Sequence, residues 1–382
     1  MNFSEDLQEK ITIAAKKTVN EVCKVKKGEK VLIVTNRTLK NGIPETEIIS
    51  QAIYDQCIAQ EANAILIVQP EKASMDYADA AVIAALKTEP DVFFSISENK
   101  LGKDSQAIKE PLVAADGSTY DHMFDYLLHG KKTMRAVWTP GITIDMFSRT
   151  VDIDYALLKK RCETLSKLYE GVESVHVTAP AGTDIIVPVA GRISMMDDGN
   201  FCYSGTGGNI PAGEVFISPV VGDGKETGCN GKIVFDGSMT INKGDMIIQT
   251  PIIVDVKAGF VTTITGGIEA EKLLDTINCA QETALQMEKE GKLPSGQGAI
   301  YSRNARNIGE LGIGLNPAAK ITGNMLEDEK AFRTCHFAIG ANYDGDAPSL
   351  IHLDCVVKDP TIIFNYSDGT SKTVLENGTL IF

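Results

Sequence analysis

No stretch of the sequence reaches the about 18 consecutive apolar residues that a membrane-spanning helix requires. The chain starts with acidic residues, whereas a secretory signal starts with basic residues and continues with apolar ones. The eight cysteines form no Cys-x-x-Cys pair, and a chain of 382 residues can build a core without disulfide bonds. We therefore expect a cytoplasmic protein whose cysteines are reduced and act as small apolar residues.

Positive charge is also scarce. The chain has 37 lysines and arginines against 51 aspartates and glutamates, which gives a formal net charge of −14. The acidic residues are spread along the chain, so the surface should repel nucleic-acid phosphates and anionic lipid headgroups. We expect no nucleic-acid partner and no membrane partner.

The first half of the chain alternates short apolar runs with helical periodicity. The runs at 30–35, 64–69 and 91–96 are continuously apolar, which is typical of parallel strands covered on both faces. Between the first two runs, residues 45–60 carry apolar side chains at helical spacing. Residues 1–172 are therefore predicted to form a doubly wound α/β domain with a mainly parallel, helix-covered sheet.

The pattern changes at Glu173 to strand-like runs separated by Gly, Asn and Asp, with one long helical signal at 269–290. Residues 173–382 are predicted to form an α+β, strand-rich domain that carries the metal-binding and catalytic residues. The glycine-rich segment 204–209 does not follow a strand and open a helix, as a phosphate-binding loop does. We interpret it as a turn or an active-site loop.

Histidine is rare, and two of the five histidines fall in neighbouring strand-like runs. Alternation along a strand puts His352 and Asp354 on one face. On the preceding run, His336 projects away from its apolar neighbours, and an antiparallel connection would bring it beside the other two. One histidine on a strand is usually a core residue, but the His-x-Asp pair on the next strand favours a metal site.

Two glutamates could complete this cluster. Glu310 lies inside a glycine-spaced apolar run, where an unpaired buried carboxylate is costly, so it requires a cation. Glu214 opens an apolar strand after a turn, a position that also suits a solvated carboxylate. Nitrogen and oxygen ligands without thiolates suit Zn²⁺, Co²⁺, Mn²⁺ or Fe²⁺.

Other polar clusters are weaker signals. His122 and His129 are near Asp125 and could share a helix face, but no matching pattern occurs elsewhere, so they are interpreted as structural or surface residues. The charged segment 326–330 is interpreted as a solvated face, with a contact of Glu327 or Asp328 to a substrate amine as the alternative.

Four motifs occur in a characteristic order in the second half of the chain. They are Asn-x-Pro-x-x-Glu-Val-Phe at 209–216, Gly-Glu-Leu-Gly-Ile-Gly at 309–314, His336-x-Ala-x-Gly-x-x-Tyr343, and His352-x-Asp354. In this order they resemble the metallo-aminopeptidase family of aminopeptidase T and aminopeptidase S, the thermophilic-type leucyl aminopeptidases. The resemblance is strong over residues 200–365 and general over the N-terminal half.

The resemblance implies a hydrolase, a metalloprotease that removes N-terminal residues from short peptides with a water activated between two divalent ions, Zn²⁺, Co²⁺ or Mn²⁺. It implies that these ions are bound by Glu214, Glu310, His336, His352 and Asp354. It further implies that Tyr343 is catalytic and that the protein is a homodimer. A carboxylate that is not fully engaged by metal, Glu310 or Glu214, would transfer the proton to the leaving amine, and we expect Glu310 to be catalytic as well.

The sequence also departs from this family. Gly213 stands where the family usually has a second glutamate, and the spacer before Glu310 is longer than expected. Two alternatives therefore stay open. Dihydroxypyridine ring-cleaving dioxygenases have a similar C-terminal half, and the two strand histidines with Asp354 have the composition of a mononuclear Fe²⁺ site. The other alternative is a non-catalytic, small-ligand-binding relative.

Overall fold

The computed structural model describes residues 4–73 and 76–382. They form two compact units, of which the first comprises the chain up to Lys159 together with Asp197–Ala212. The second comprises Lys160–Met196 and Gly213–Phe382. None of the helices in the described ranges combines the length and the apolar character needed to cross a lipid bilayer.

The first part of the chain contains most of the helices. In order, the elements are α1 (Glu5–Lys17), β1 (Lys30–Asn36), α2 (Glu45–Ala59), β2 (Asn63–Gln69), α3 (Ala80–Leu86), β3 (Val92–Ile96), β4 (Leu112–Val113), β5 (Thr119–Tyr120), α4 (Met123–Asp125), β6 (Arg135–Trp138), α5 (Ile144–Thr150) and α6 (Tyr155–Leu168). Helix α4 continues as a π-helical turn, Tyr126–Gly130.

The remaining elements are mostly strands. They are β7 (Val172–Thr178), β8 (Asp184–Pro188), β9 (Met195–Asp197), β10 (Gly207–Asn209), β11 (Glu214–Ile217), β12 (Asn230–Phe235), β13 (Ser238–Ile241), β14 (Gly244–Ile247), β15 (Ile252–Lys257), β16 (Phe260–Thr265), α7 (Ile268–Lys289), α8 (Gln297–Asn304), β17 (Ile308–Gly314), α9 (Met325–Asp328), β18 (Thr334–Gly340), β19 (His352–Lys358), β20 (Thr361–Tyr366), β21 (Ser371–Glu376) and β22 (Thr379–Leu380).

The first unit is built on a five-stranded parallel sheet in the order β2-β1-β3-β6-β10. All of β3 and nearly all of β1 are buried, as the continuously apolar runs require of strands covered on both faces. The predicted α/β class with a parallel, helix-covered sheet is confirmed for this part of the chain.

The expected turn is present only at Ser204 and Gly205, because Gly207–Asn209 forms strand β10 and pairs in parallel with β6. A Cβ atom on Gly207 would lie 2.6 Å from the carbonyl oxygen of Ala136. The close approach of the two strands therefore requires glycine, a residue that weakens the sequence signal for a strand.

The second unit contains two larger sheets, which confirms the predicted strand-rich α+β class. The seven-stranded sheet has the order β14-β13-β19-β18-β17-β11-β9, and the eight-stranded sheet has the order β16-β15-β12-β8-β7-β20-β21-β22. Strands β17 and β18 are buried along their whole length, which makes the seven-stranded sheet the centre of this unit.

Candidate metal centre

One face of the seven-stranded sheet is polar where β17, β18 and β19 pair antiparallel. Glu310 on β17 lies opposite Ala338 on β18, which lies opposite Asp354 on β19. Side chains directly opposite in a sheet share a face, and so do alternate residues along one strand. His336 and His352 therefore project from the same face as the two carboxylates, with the small Ala338 between them.

The other face of these strands is apolar and closed to solvent. Cys335, Phe337 and Leu353 point into the core, and burial raises the pKa of the Cys335 thiol. The thiol next to His336 in the sequence thus lies on the opposite face from the imidazole.

Glu310 links the two imidazoles. Its Oε1 atom lies 3.1 Å from Nε2 of His336, and its Oε2 atom lies 3.2 Å from Nε2 of His352. Asp354 adds a second carboxylate, with Oδ1 3.4 Å from Nε2 of His352. The three strands thus bring two nitrogen donors and two carboxylates to one point.

The orientation of His352 is fixed by the backbone. Its Nδ1 atom lies 2.8 Å from the carbonyl oxygen of Ala341 and donates a hydrogen to it. This bond aims Nε2 at Glu310 and Asp354, which is how histidine ligands of metals are commonly held.

The carboxylates and imidazoles change each other's proton affinity. Burial alone would lower the pKa of His336, but the hydrogen bond with Glu310 and the charges of Glu214 and Glu310 raise it to about 9. Burial opposes ionisation of Asp354 as well, yet the charge and hydrogen bond of His352 lower its pKa to about 2. Without a metal, protons on the imidazoles balance the carboxylates.

Lys330 is fully buried beside this cluster, and the sequence analysis missed it. Its Nζ atom donates hydrogen bonds to Oε1 of Glu214, at 2.7 Å, and to a carboxylate oxygen of Glu329. Burial raises the pKa of Glu329 to about 8, and Lys330 opposes this shift. One oxygen of Glu214 is therefore engaged by a cation that belongs to the protein.

The prediction that segment 326–330 is a solvated face is wrong. Glu327 and Asp328 are 1% and 0% exposed. Their carboxylates accept hydrogen bonds from backbone N–H groups of the preceding loop, from Lys320 at 2.8 Å and from Thr322 at 2.7 Å. A run of charges has no periodicity that distinguishes a solvated segment from one buried by such loop contacts.

The residues that the sequence analysis placed at the site come together, although their role as ligands stays a prediction. Glu214 Oε2 is 3.5 Å from Nε2 of His336, so it reaches the same imidazole as Glu310. Tyr343 lies at the open edge, 60% exposed, with its ring 5.2 Å from that of His352. Its catalytic role is also a prediction.

The backbone conformation explains why position 213 is a glycine. Its φ is +127°, and a Cβ atom there would lie 2.8 Å from the Cβ of Asn316. Glutamate, which the aminopeptidases usually have at this position, would be strained here whatever its chemistry.

A metal ion fits this arrangement. Three sets of side chains have ligand atoms within 4.8 Å of one another: Glu214, Glu310 and His336; Glu310, His352 and Asp354; and Glu329, His336 and Asp354. Two buried oxygens, Oε2 of Glu310 and Oδ1 of Asp354, both lie close to Nε2 of His352, at 3.2 Å and 3.4 Å. A divalent cation would compensate the excess of carboxylates at this point.

Comparison with known proteins identifies relatives of two kinds. A family model described as NicX, 2,5-dihydroxypyridine 5,6-dioxygenase, matches residues 129–381. The 2,5-dihydroxypyridine 5,6-dioxygenase of Pseudomonas putida KT2440 is 25% identical over 199 residues, which are 52% of this chain and 48% of that protein. The aligned region therefore spans about half the length of this curated relative.

Two solved structures share the fold. The 2,5-dihydroxypyridine dioxygenase from Pseudomonas putida KT2440 superposes with a TM-score of 0.66 at 18% identity, covering 97% of this chain and 96% of that one. Wild-type AmpT from Thermus thermophilus superposes with a TM-score of 0.64 at 15% identity, covering 98% and 100%.

These findings confirm the predicted likeness to aminopeptidase T at the level of the fold and correct the predicted activity. The family model and the curated relative both name a dioxygenase, so the prediction of a hydrolase, a protease and specifically a metallo-aminopeptidase is wrong. The chain belongs to the NicX family, described as 2,5-dihydroxypyridine 5,6-dioxygenase.

Proposed function

We propose that this protein is a ring-cleaving dioxygenase that uses one Fe²⁺ ion per chain and acts on a dihydroxypyridine. In this reaction a carbon–carbon bond of the ring breaks, and both atoms of one O₂ molecule enter the product. The observation that carries the proposal is the position of Glu310 between the imidazoles of His336 and His352, within a chain of the NicX family.

The donor set suits ferrous iron. His336, His352, Glu310 and Asp354 offer imidazole and carboxylate donors without a thiolate, which is the set used by non-haem Fe²⁺ oxygenases. Ferrous iron would supply the electrons that make O₂ reactive toward an aromatic ring.

The proposed stoichiometry of one ion rests on Lys330. Its ammonium group binds Glu214, the ligand that a second ion would need, and the pair is buried. Repulsion between an ammonium and a divalent cation is strong where water is excluded. We therefore assign the ion to the Glu310, His352 and Asp354 side of the cluster, with His336 as the further nitrogen donor.

The aromatic residues at the open edge would bind the substrate ring. Tyr343 and Phe216 have ring centroids 5.1 Å apart, and Tyr343 contacts His352 edge to face. An aromatic substrate can stack on such a pair, with the Tyr343 hydroxyl donating a hydrogen bond to a ring hydroxyl or oxyanion. Glu310 and His336, which are 3% and 1% exposed, close the opposite side to water.

The test is oxygen consumption by full-length protein reconstituted with Fe²⁺ under anaerobic conditions. On mixing with 2,5-dihydroxypyridine and air-saturated buffer, we expect uptake of one O₂ per ring, loss of the aromatic absorbance, and two ¹⁸O atoms in the product from ¹⁸O₂. Pyridines with a single hydroxyl group should react far more slowly.

A Zn²⁺-loaded sample provides the control, because Zn²⁺ occupies nitrogen and oxygen sites without redox activity. Peptide hydrolysis by that sample, or the absence of oxygen uptake by protein that retains its Fe²⁺, would contradict the proposal.

A further inference from the structure

A cavity of about 500 Å³ lies in the first unit, outside the carboxyl ends of strands β3 and β6. Residues from both strand ends and from the segment between them form its wall, including Phe93, Ser95, Lys100, Asp125 and Trp138. None of these residues belongs to the metal cluster, which lies in the second unit.

The cavity adjoins the position at which doubly wound sheets bind ligands, although no residue of β1 lines it. Strand β1 is followed by β2 on one side and by β3 on the other, so the strand order reverses between β1 and β3. Ligands of open parallel sheets occupy the crevice outside the carboxyl ends of strands next to this reversal. Strand β3 provides one edge of the cavity.

One wall of the cavity is aromatic. The ring centroids of Phe93 and Phe124 are 5.4 Å apart, and those of Phe124 and Trp138 are 5.8 Å apart with planes at 85°. Such a wall favours a flat, apolar ligand group such as an aromatic ring.

The cavity is also lined by the carboxylate of Asp125, which follows Phe124 in the chain. Within the described ranges, no group donates a hydrogen bond to Asp125. His122 is not available to it, because Nδ1 of His122 accepts from the N–H of Phe124 and Nε2 bonds to the carbonyl oxygen of Gly102. Burial raises the pKa of Asp125, and the positive charge of nearby histidines compensates only in part.

A positive charge lies elsewhere on the same wall. The Lys100 ammonium is exposed at the strand end, and among the described residues it forms no ion pair with a carboxylate, Asp125 included. The cavity thus offers an aromatic surface, the carboxylate of Asp125 and the ammonium groups of Lys100 and Lys103.

We propose that this cavity binds a small aromatic amino acid, with its ring against Phe124 and Trp138, its ammonium at Asp125 and its carboxylate at Lys100. A zwitterion satisfies both charges, whereas an aromatic amine or an aromatic acid satisfies only one. The proposal is independent of the reaction at the metal cluster.

The chain has a single tryptophan, so the fluorescence of Trp138 reports on this cavity alone. We would titrate full-length protein with L-phenylalanine, phenethylamine, 3-phenylpropionate and L-leucine, and measure the same affinities by calorimetry. L-Phenylalanine should change the fluorescence to saturation, and the other three should bind at least about tenfold more weakly.

The variant Asp125→Asn should weaken L-phenylalanine binding at least about tenfold and leave the affinity for 3-phenylpropionate undiminished. Asp121→Asn is the matched control, because it removes an exposed carboxylate close by in the sequence that does not line the cavity. It should bind like the unmodified protein.

Three results would overturn the proposal: no saturable response to L-phenylalanine, binding of 3-phenylpropionate as tight as that of L-phenylalanine, or equal affinities for the two variants. The first two are measured on the unmodified protein, so they stand even if Asp125→Asn does not fold.

Discussion

Gly312 leaves the space that the imidazole of His336 occupies. The two residues lie directly opposite each other on β17 and β18. A Cβ atom on Gly312 would be 2.1 Å from both Cε1 and Nε2 of His336. The imidazole therefore lies flat over the glycine, and this contact aims Nε2 at Glu310.

Gly312→Ala should displace His336 and weaken metal binding. The added methyl group overlaps the ring, and overpacking of this kind costs about 1–3 kcal/mol of unfolding free energy. We expect a lower melting temperature and less than half of the metal content of the unmodified protein, measured by calorimetry and by elemental analysis.

The matched control is the same substitution in a His336→Ala background. There the added methyl group meets no imidazole. Gly312→Ala should therefore lower the unfolding free energy by at least about 1 kcal/mol less than it does when His336 is present. Equal destabilisation in both backgrounds would show that the glycine serves the backbone and not the histidine.

The placement of the histidines could be predicted because it depends on local rules. Alternation along β18 and β19 puts His336, His352 and Asp354 on one face, and the turn between the strands brings them together. The role of Lys330 could not be predicted, because it depends on a contact with Glu214 that is distant in the sequence. A lysine in a charged run gives no sign that it is buried.

Lys330→Met should destabilise the protein and raise its capacity for metal. Methionine fills the same volume but leaves the buried carboxylates of Glu214 and Glu329 without their cation, which costs about 3–5 kcal/mol in metal-free protein. The carboxylate of Glu214, which Lys330 no longer binds and which lies next to His336, then suits a second divalent ion, so metal content should rise from one ion per chain toward two.

Denaturant unfolding with and without metal, combined with elemental analysis, checks both parts. Lys372→Met, which alters an exposed lysine on β21, should change the stability by less than about 0.5 kcal/mol. A metal content unchanged by Lys330→Met would remove our reason for assigning a single ion.

The hydroxyl group and the ring of Tyr343 should make separate contributions, the hydroxyl group to turnover and the ring to substrate binding. Tyr343→Phe keeps the ring contacts with Phe216 and His352 but loses the hydrogen-bond donor, so turnover should fall about tenfold with little change in KM. Tyr343→Leu should in addition raise KM several-fold, because it loses about 1 kcal/mol of stacking. Steady-state oxygen uptake measures both, and loss of metal in Tyr343→Phe would show a structural role instead.

The fold was predictable where hydrophobic pattern decides it. The apolar run at 30–35 became β1 and the helical periodicity at 45–60 became α2, since both signals are local. Strand β10 was not predictable, because its glycines are required by the closeness of β6. Its place beside β6 depends on contacts between segments far apart in the chain.

Metal binding should release protons and strengthen as the pH rises. The pKa of His336 is raised to about 9 and that of His352 is raised well above the ordinary value of about 6.5, so both imidazoles are protonated at neutral pH without metal. A metal binds only the neutral imidazole.

The stability of the metal-free protein should also depend on pH. The raised pKa of His336 stabilises the fold at pH values below about 6.5, and this contribution is lost as the pH rises toward 9. Metal-free protein should therefore become less stable over that range.

Calorimetric titration of Zn²⁺ in two buffers of different ionisation enthalpy gives the number of protons released at neutral pH, and we expect between one and two. His352→Gln, which removes one of the two protonated imidazoles, should reduce that number by about one. The Kd of the unmodified protein should fall by about tenfold or more per pH unit below pH 9, because each released proton contributes a factor of ten. A Kd that does not change with pH would mean that the imidazoles are neutral in the metal-free protein, and that the carboxylates are balanced by another cation.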